Sequence, residues 1–133
     1  MASTLEETQH RRPHPSPLAA AFLEFDLARE LAGLHREAEW ENGQNAKTLA
    51  KYDDFRIVLT ALKANATIPT HRTEGRLSIH VISGHVQMRA SERTFDLVPG
   101  SLVALDRGIA HEIRALDESA LLQTIAWPTR SSE

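Results

Sequence analysis

The sequence predicts an all-β barrel or sandwich preceded by a short helical segment. From residue 44 onward, short apolar or alternating runs are broken by turn residues at intervals of about 8–12, the rhythm of antiparallel sheet folds. Upstream, Leu27, Leu31, Leu34 and Ala38 recur at the spacing of one helix face. There is no alternation of strands with long helices and no glycine-rich phosphate loop, so an open α/β sheet is not indicated.

Residues 1–16 read as a flexible N-terminal arm. Pro13 and Pro15 stand at every second position, which favours an extended chain, so His10-Arg11-Arg12-Pro13-His14-Pro15 is not taken as a metal site. Residues 17–43 read as helical, packing on the barrel or on a partner subunit. Ser16-Pro17 supplies a helix start, with Leu18, Phe22 and Phe25 as a first apolar set. Asp26 can cap the second set, Gly33 weakens it, and Glu41-Asn42-Gly43 ends the segment. His35 falls on the polar side, where water would solvate it.

Residues 44–133 read as the barrel. Strands are expected over 48–52, 55–63, 68–71, 77–82, 85–90, 94–98, 102–105, 111–115 and 121–127. Turn signals stand between them at Asp53-Asp54, Asn65, Glu74-Gly75, Ser83-Gly84, Ser91-Glu92, Pro99-Gly100, Arg107-Gly108 and Asp117-Glu118. The run Phe55-Arg56-Ile57-Val58-Leu59-Thr60-Ala61-Leu62 is apolar on both faces, which suits a strand covered on both sides or one at a subunit interface. That strand and the leucine stripe together predict a homodimer.

Bulk properties narrow the function classes. A chain of 133 residues fits one domain with its own core. A net charge of −3 gives no general attraction for nucleic acid or an anionic membrane, and 5% aromatic residues leave little for base stacking. No cysteine is present, which excludes disulfides and thiolate chemistry. No apolar run reaches signal-peptide or transmembrane length, so a cytoplasmic location is expected.

The stretch from Asn65 to Ala115 resembles the cupin superfamily, small jelly-roll barrels with two motifs. The family's first motif is Gly, five residues, His-x-His, three or four residues, Glu, six residues, Gly. Its second is Gly, five residues, Pro-x-Gly, two residues, His, three residues, Asn. Here His71 fits the first histidine and Gly84 the closing glycine, while Asn65 stands at the opening glycine. Gly100, Gly108 and His111 keep the second motif's spacing, with Asp106 in place of proline and Ala115 in place of asparagine. The chain looks most like the small single-domain bacterial cupins that carry a helical N-terminal segment.

The resemblance implies a metal site, and the departures bear on it. The family's ligands are both histidines and the glutamate of the first motif plus the histidine of the second. Thr73 and Leu77 stand at two of these four positions, leaving His71 and His111. A divalent ion (Fe, Mn, Ni or Zn) normally takes three or four protein ligands, so metal here is expected to be weak or absent. Glu74 and His80 are the nearby candidates for a third ligand. Glu74 lies in the turn after His71, whereas period-two alternation turns His80 away from the face of Leu77. Leu77, Ile79 and Val81 are expected to line the barrel interior with Val103 and Leu105 facing them. His71, Thr73 and His111 would then stand at the mouth of a site for a small, partly apolar ligand with one polar end. Arg76, Arg107 and Arg114 fit surface pairing or an anionic ligand, Trp40 and Trp127 fit packing near the barrel ends, and His85 is expected to be exposed.

Three functions follow from these residues. The first is a small-molecule-binding barrel with a degenerate two-histidine site. The second is a metal-dependent oxygenase, isomerase or lyase using His71, His111 and a nonstandard third ligand. The third is a ligand-free structural or regulatory dimer. Fold alone does not choose among them.

Overall fold

Two antiparallel sheets face each other, and one short helix covers the outside of the larger sheet. The computed structural model describes residues 17–128. The expected N-terminal arm and Ser16 lie outside the described residues. Helix α1 (Leu27–Arg36) leads through a 3-10 turn (Ala38–Asn42) into nine strands. These are β1 (Gln44–Tyr52), β2 (Phe55–Leu62), β3 (Thr67–His71), β4 (Arg76–Ser83), β5 (Val86–Ala90), β6 (Arg93–Leu97), β7 (Leu102–Leu105), β8 (His111–Ala115) and β9 (Ser119–Ala126). The larger sheet has the order β1-β2-β9-β4-β7, the smaller β3-β8-β5-β6.

Alternation decides what each strand buries. In β4, Leu77, Ile79 and Val81 are buried, and the residues between them are not. In β8, His111, Ile113 and Ala115 are buried. These inward positions join Leu62, Val86, Met88, Leu97, Leu105 and Leu121 in the core between the sheets. Ile79 and Val81 have no accessible surface, so no water-sized void touches them. This level of the barrel is filled by side chains, as small barrels often are.

A second apolar cluster lies on the outer face of the larger sheet. Leu34 and Trp40 pack with Leu49, Leu59 and Ala61, joined by Phe25, Leu27, Leu31, Ile57, Ile82 and Leu122. The apolar outer face of β2 therefore packs against α1 of the same chain. Asn45 pins the arrangement: its buried amide donates to the Leu34 carbonyl at 3.0 Å and to Glu37 Oε1 at 2.9 Å. The first bond adds to the 3.4 Å bond that the Leu34 carbonyl accepts from the Glu37 N–H at the helix end. Lys47 Nζ bonds Glu30 Oε1 at 2.7 Å on the same face.

The helix is shorter than the span 17–43 predicted from sequence. Asp26 caps it, accepting from the Arg29 N–H at 3.2 Å. Upstream the chain is irregular, not helical. The Leu18 carbonyl accepts from the Lys51 N–H at 2.7 Å, and the Ala20 carbonyl from the Tyr52 hydroxyl at 2.7 Å. These contacts to the outermost strand of the sheet outweigh local helix propensity and shield part of an open edge. Phe22 is 91% exposed, so Leu18, Phe22 and Phe25 form no shared stripe.

The motif turns sit where backbone demands select their residues. Asn65, at the opening-glycine position, has φ 73°, a left-handed conformation that asparagine tolerates. Gly84 has φ 88°, and a side chain there would collide with Ser119 and the Glu118 carbonyl. Its lack of a Cβ lets the β4–β5 turn sit against the start of β9.

Candidate functional site at the barrel mouth

His71 ends β3 and His111 begins β8, and the two are cross-strand partners. Their ring centroids are 4.3 Å apart at an interplanar angle of 55°. The pairing depends on an irregularity. Thr67 and Ile68 pair with Arg114 and Ile113, and the register then shifts by one residue before His71 meets His111. An unbroken register would have set Thr70 opposite His111. The shifted stretch contains Pro69, which an edge strand can hold because its missing N–H breaks no inner ladder. Bulges of this kind re-aim side chains beside functional sites.

Both rings are oriented in the same way. His71 Nδ1 donates to the Pro69 carbonyl and His111 Nδ1 to the Ile109 carbonyl, each at 3.0 Å. With the proton on Nδ1, each neutral ring presents Nε2 as a lone pair. The environments differ. His71 is exposed, whereas His111 is 1% exposed, and its Nε2 is buried without a hydrogen-bond partner. Burial holds the His111 pKa below the ordinary histidine value, the Ile109 hydrogen bond opposes this, and His71 adds to the lowering.

The remaining predicted ligands do not join this pair. Thr73 Oγ1 donates to the Gly75 carbonyl at 2.7 Å and accepts from the Gly75 N–H at 3.0 Å, so it is engaged in its own turn. Leu77 is buried opposite Leu105. His80 pairs with Leu102 and Leu122, on the opposite face of β4 from Leu77 and Ile79. Glu74 is exposed in the loop after His71. Among the described residues no group of three His, Cys, Asp or Glu side chains is placed to hold a metal ion. The free Nε2 atoms would suit a metal, but two imidazoles fall short of the three or four ligands a tightly held divalent ion takes. The donor set does not fit a resident metal.

The predicted lining separates by depth. Ile79 and Val81 are sealed in the core, Leu77 and Leu105 keep 4% and 9% exposure, and Val103 is partly buried against the same cluster. An open depression of about 330 Å³ lies over Arg76, Leu77, Ser78, Ala104, Leu105, Asp106, Thr124 and Ala126, mostly outer-face positions of the larger sheet. Arg76 Nε bonds Asp106 Oδ1 at 3.0 Å beside it.

Two polar residues on the inner face of the larger sheet were not singled out from the sequence. Arg56 pairs with Ile125, and Ile125 pairs with Leu77, so Arg56 stands on the inner face of the larger sheet. Gln123 lies on that same face, and its Nε2 donates to Thr60 Oγ1 at 3.2 Å. The signal for Arg56 was a charged residue inside an otherwise apolar strand. Trp127, expected only to pack, lies under the Arg56 guanidinium at 5.3 Å. His35 and His85 also depart from their expected roles. His35 stacks on Trp40 at 4.4 Å and lies 3.9 Å from Glu118, too far for a hydrogen bond. His85 Nε2 bonds Asp96 Oδ1 at 2.6 Å.

Comparison with known proteins agrees with this architecture. No protein-family model matches the sequence, and no curated protein matches it. Solved structures do. A conserved protein of unknown function from Streptococcus pyogenes has a TM-score of 0.70 at 19% identity, covering 86% of this chain and 95% of that one. A cupin superfamily protein from Desulfitobacterium hafniense has a TM-score of 0.63 at 17% identity, covering 88% and 94%. A mutant of salicylate 1,2-dioxygenase from Pseudoaminobacter salicylatoxidans has a TM-score of 0.72 at 12% identity, covering 92% of this chain but 41% of that enzyme. The chain has a cupin fold: a small all-β jelly-roll barrel with one short helix near its N-terminus. Among the described residues no helix is long and apolar enough to cross a membrane.

Proposed function

We propose that this chain binds a small molecule at the mouth of its barrel, with His71 and His111 acting as paired imidazoles. The observation that carries this is the His111 Nε2 atom, buried and without a partner beside the His71 ring. A buried polar atom left unsatisfied is costly, and a ligand hydroxyl or amine would satisfy it. The exposed His71 ring is free to gate or share the same ligand.

A metal-dependent enzyme is the second reading, favoured by one feature. Metal-binding histidines commonly donate their other ring N–H to a carbonyl, as both of these do. The short donor set counts against it. Histidine side-chain nitrogen NMR tests the choice. Small polar ligands are expected to shift His111 Nε2 and His71 Nε2 together in chelator. Shifts seen only after a divalent metal is added would support the metal enzyme instead.

A further inference from the structure

We infer that Arg56 is an anion receptor in the barrel mouth, and that the ligand is a short carboxylate carrying a hydroxyl or amine. This rests on the small-molecule reading above and adds the chemical class of the ligand.

The placement comes from register. Arg56 lies across from Ile125, and Ile125 across from Leu77, all on the inner face of the larger sheet. The loop from His71 reaches the same level: a Cβ on Gly75 would stand 2.9 Å from Ile125 Cγ2 and 2.7 Å from the Ala126 carbonyl. That close approach, possible because residue 75 is glycine, brings the end of β3 down onto the strand beside Arg56. Arg56 and the histidine pair therefore occupy one end of the barrel.

The chemistry comes from what Arg56 lacks. Its Nε is buried with no hydrogen-bond partner, and no ion pair to Arg56 occurs among the described residues. The Trp127 ring accounts for one contact to the guanidinium. An aromatic face attracts the cation but supplies no lone pair in the guanidinium plane. A carboxylate does, and the planar fork of arginine suits it. On the other side stands His111 Nε2, a lone pair in need of a donor. One ligand completes both atoms if it carries a carboxylate together with an O–H or N–H.

The test is a titration of the full chain with lactate, malate, mandelate and alanine, each beside its carboxamide analogue. It is followed by the Arg56 Nε–H signal in nitrogen-edited NMR and by calorimetry. At least one acid is expected to shift the Arg56 Nε–H signal and to bind at least tenfold more tightly than its amide. Arg56→Gln is expected to weaken that acid at least tenfold, with Arg56→Lys intermediate. The inference is overturned if acid and amide bind alike, or if a bound acid leaves the Arg56 signal unmoved. It is also overturned if no acid binds. Should Arg56→Gln fail to fold, the natural protein's own signal decides. Amides that bind and shift the histidine nitrogens alone would leave the small-molecule reading standing while removing Arg56 from it.

Discussion

His71 faces His111 because β3 takes in one extra residue after Ile68. Strict alternation from the buried Ile68 side would have carried Thr70 to this position and turned His71 outward. The bulge therefore builds the pair, and it lies in an edge strand where a register shift disturbs one ladder only.

The unsatisfied Nε2 makes His111 a site kept at the expense of stability. Replacing a buried, unpaired polar group by an apolar one of similar size is near neutral or stabilising. His111→Leu removes the unpaired Nε2 but also the Nδ1 bond to the Ile109 carbonyl, and is expected to fall within about 1 kcal/mol of the natural protein while ligand binding is lost. Denaturant unfolding checks the first part. A loss of several kcal/mol would mean that the imidazole has a structural partner at the mouth.

Stability should fall as the solution is acidified through the histidine range. Burial lowers the His111 pKa in the folded state, so the unfolded chain takes up this proton first, near pH ~6.5. The contribution is present in full above that value and is lost as pH falls toward the lower, folded value. Urea midpoints across about pH 8 to 5 measure it, with His111→Leu as the reference that removes it. Parallel curves for the two proteins would contradict the assignment.

Leu34 is the residue through which α1 is anchored to the sheet. It is 1% exposed and packs in the cluster with Trp40, Leu49 and Leu59. Leu34→Ala is expected to cost about 2–5 kcal/mol in thermal or denaturant unfolding. A cost near zero would show that the helix adds little to the barrel.

Much of this fold was legible because turn chemistry is local. Asn65, Gly84, Gly100 and Gly108 all adopt positive φ, and their spacing placed the strands between them. The opposite faces of Leu77 and His80 followed from period-two alternation alone. What stayed hidden depends on distant partners. Residues 17–26 carry helix-compatible residues, yet their carbonyls bond the Lys51 N–H and the Tyr52 hydroxyl instead of closing helical turns. The apolar outer face of β2 packs against α1, a partner that lies upstream in the chain and that periodicity alone does not name. Arg56 reads as one charge in an apolar strand, and only the register through Ile125 to Leu77 sets it at the mouth.

Restoring the missing ligands tests the donor count directly. Thr73→His with Leu77→Glu is expected to take up manganese, nickel, iron or zinc where the natural protein does not. Without metal, a carboxylate at the buried Leu77 position is an unpaired charge and costs several kcal/mol in order of magnitude. The double variant should therefore melt below the natural protein in chelator and recover when metal is added. Equal melting points with and without metal would count against this placement of Leu77.

Metal content of the natural protein is the most direct test that the histidine pair acts through its imidazoles. Elemental analysis of full-length chain, purified without added metal and dialysed without chelator, is expected to find well under one divalent ion per chain. One tightly held ion per chain would contradict the account, and loss of that ion in Glu74→Gln would identify the third ligand.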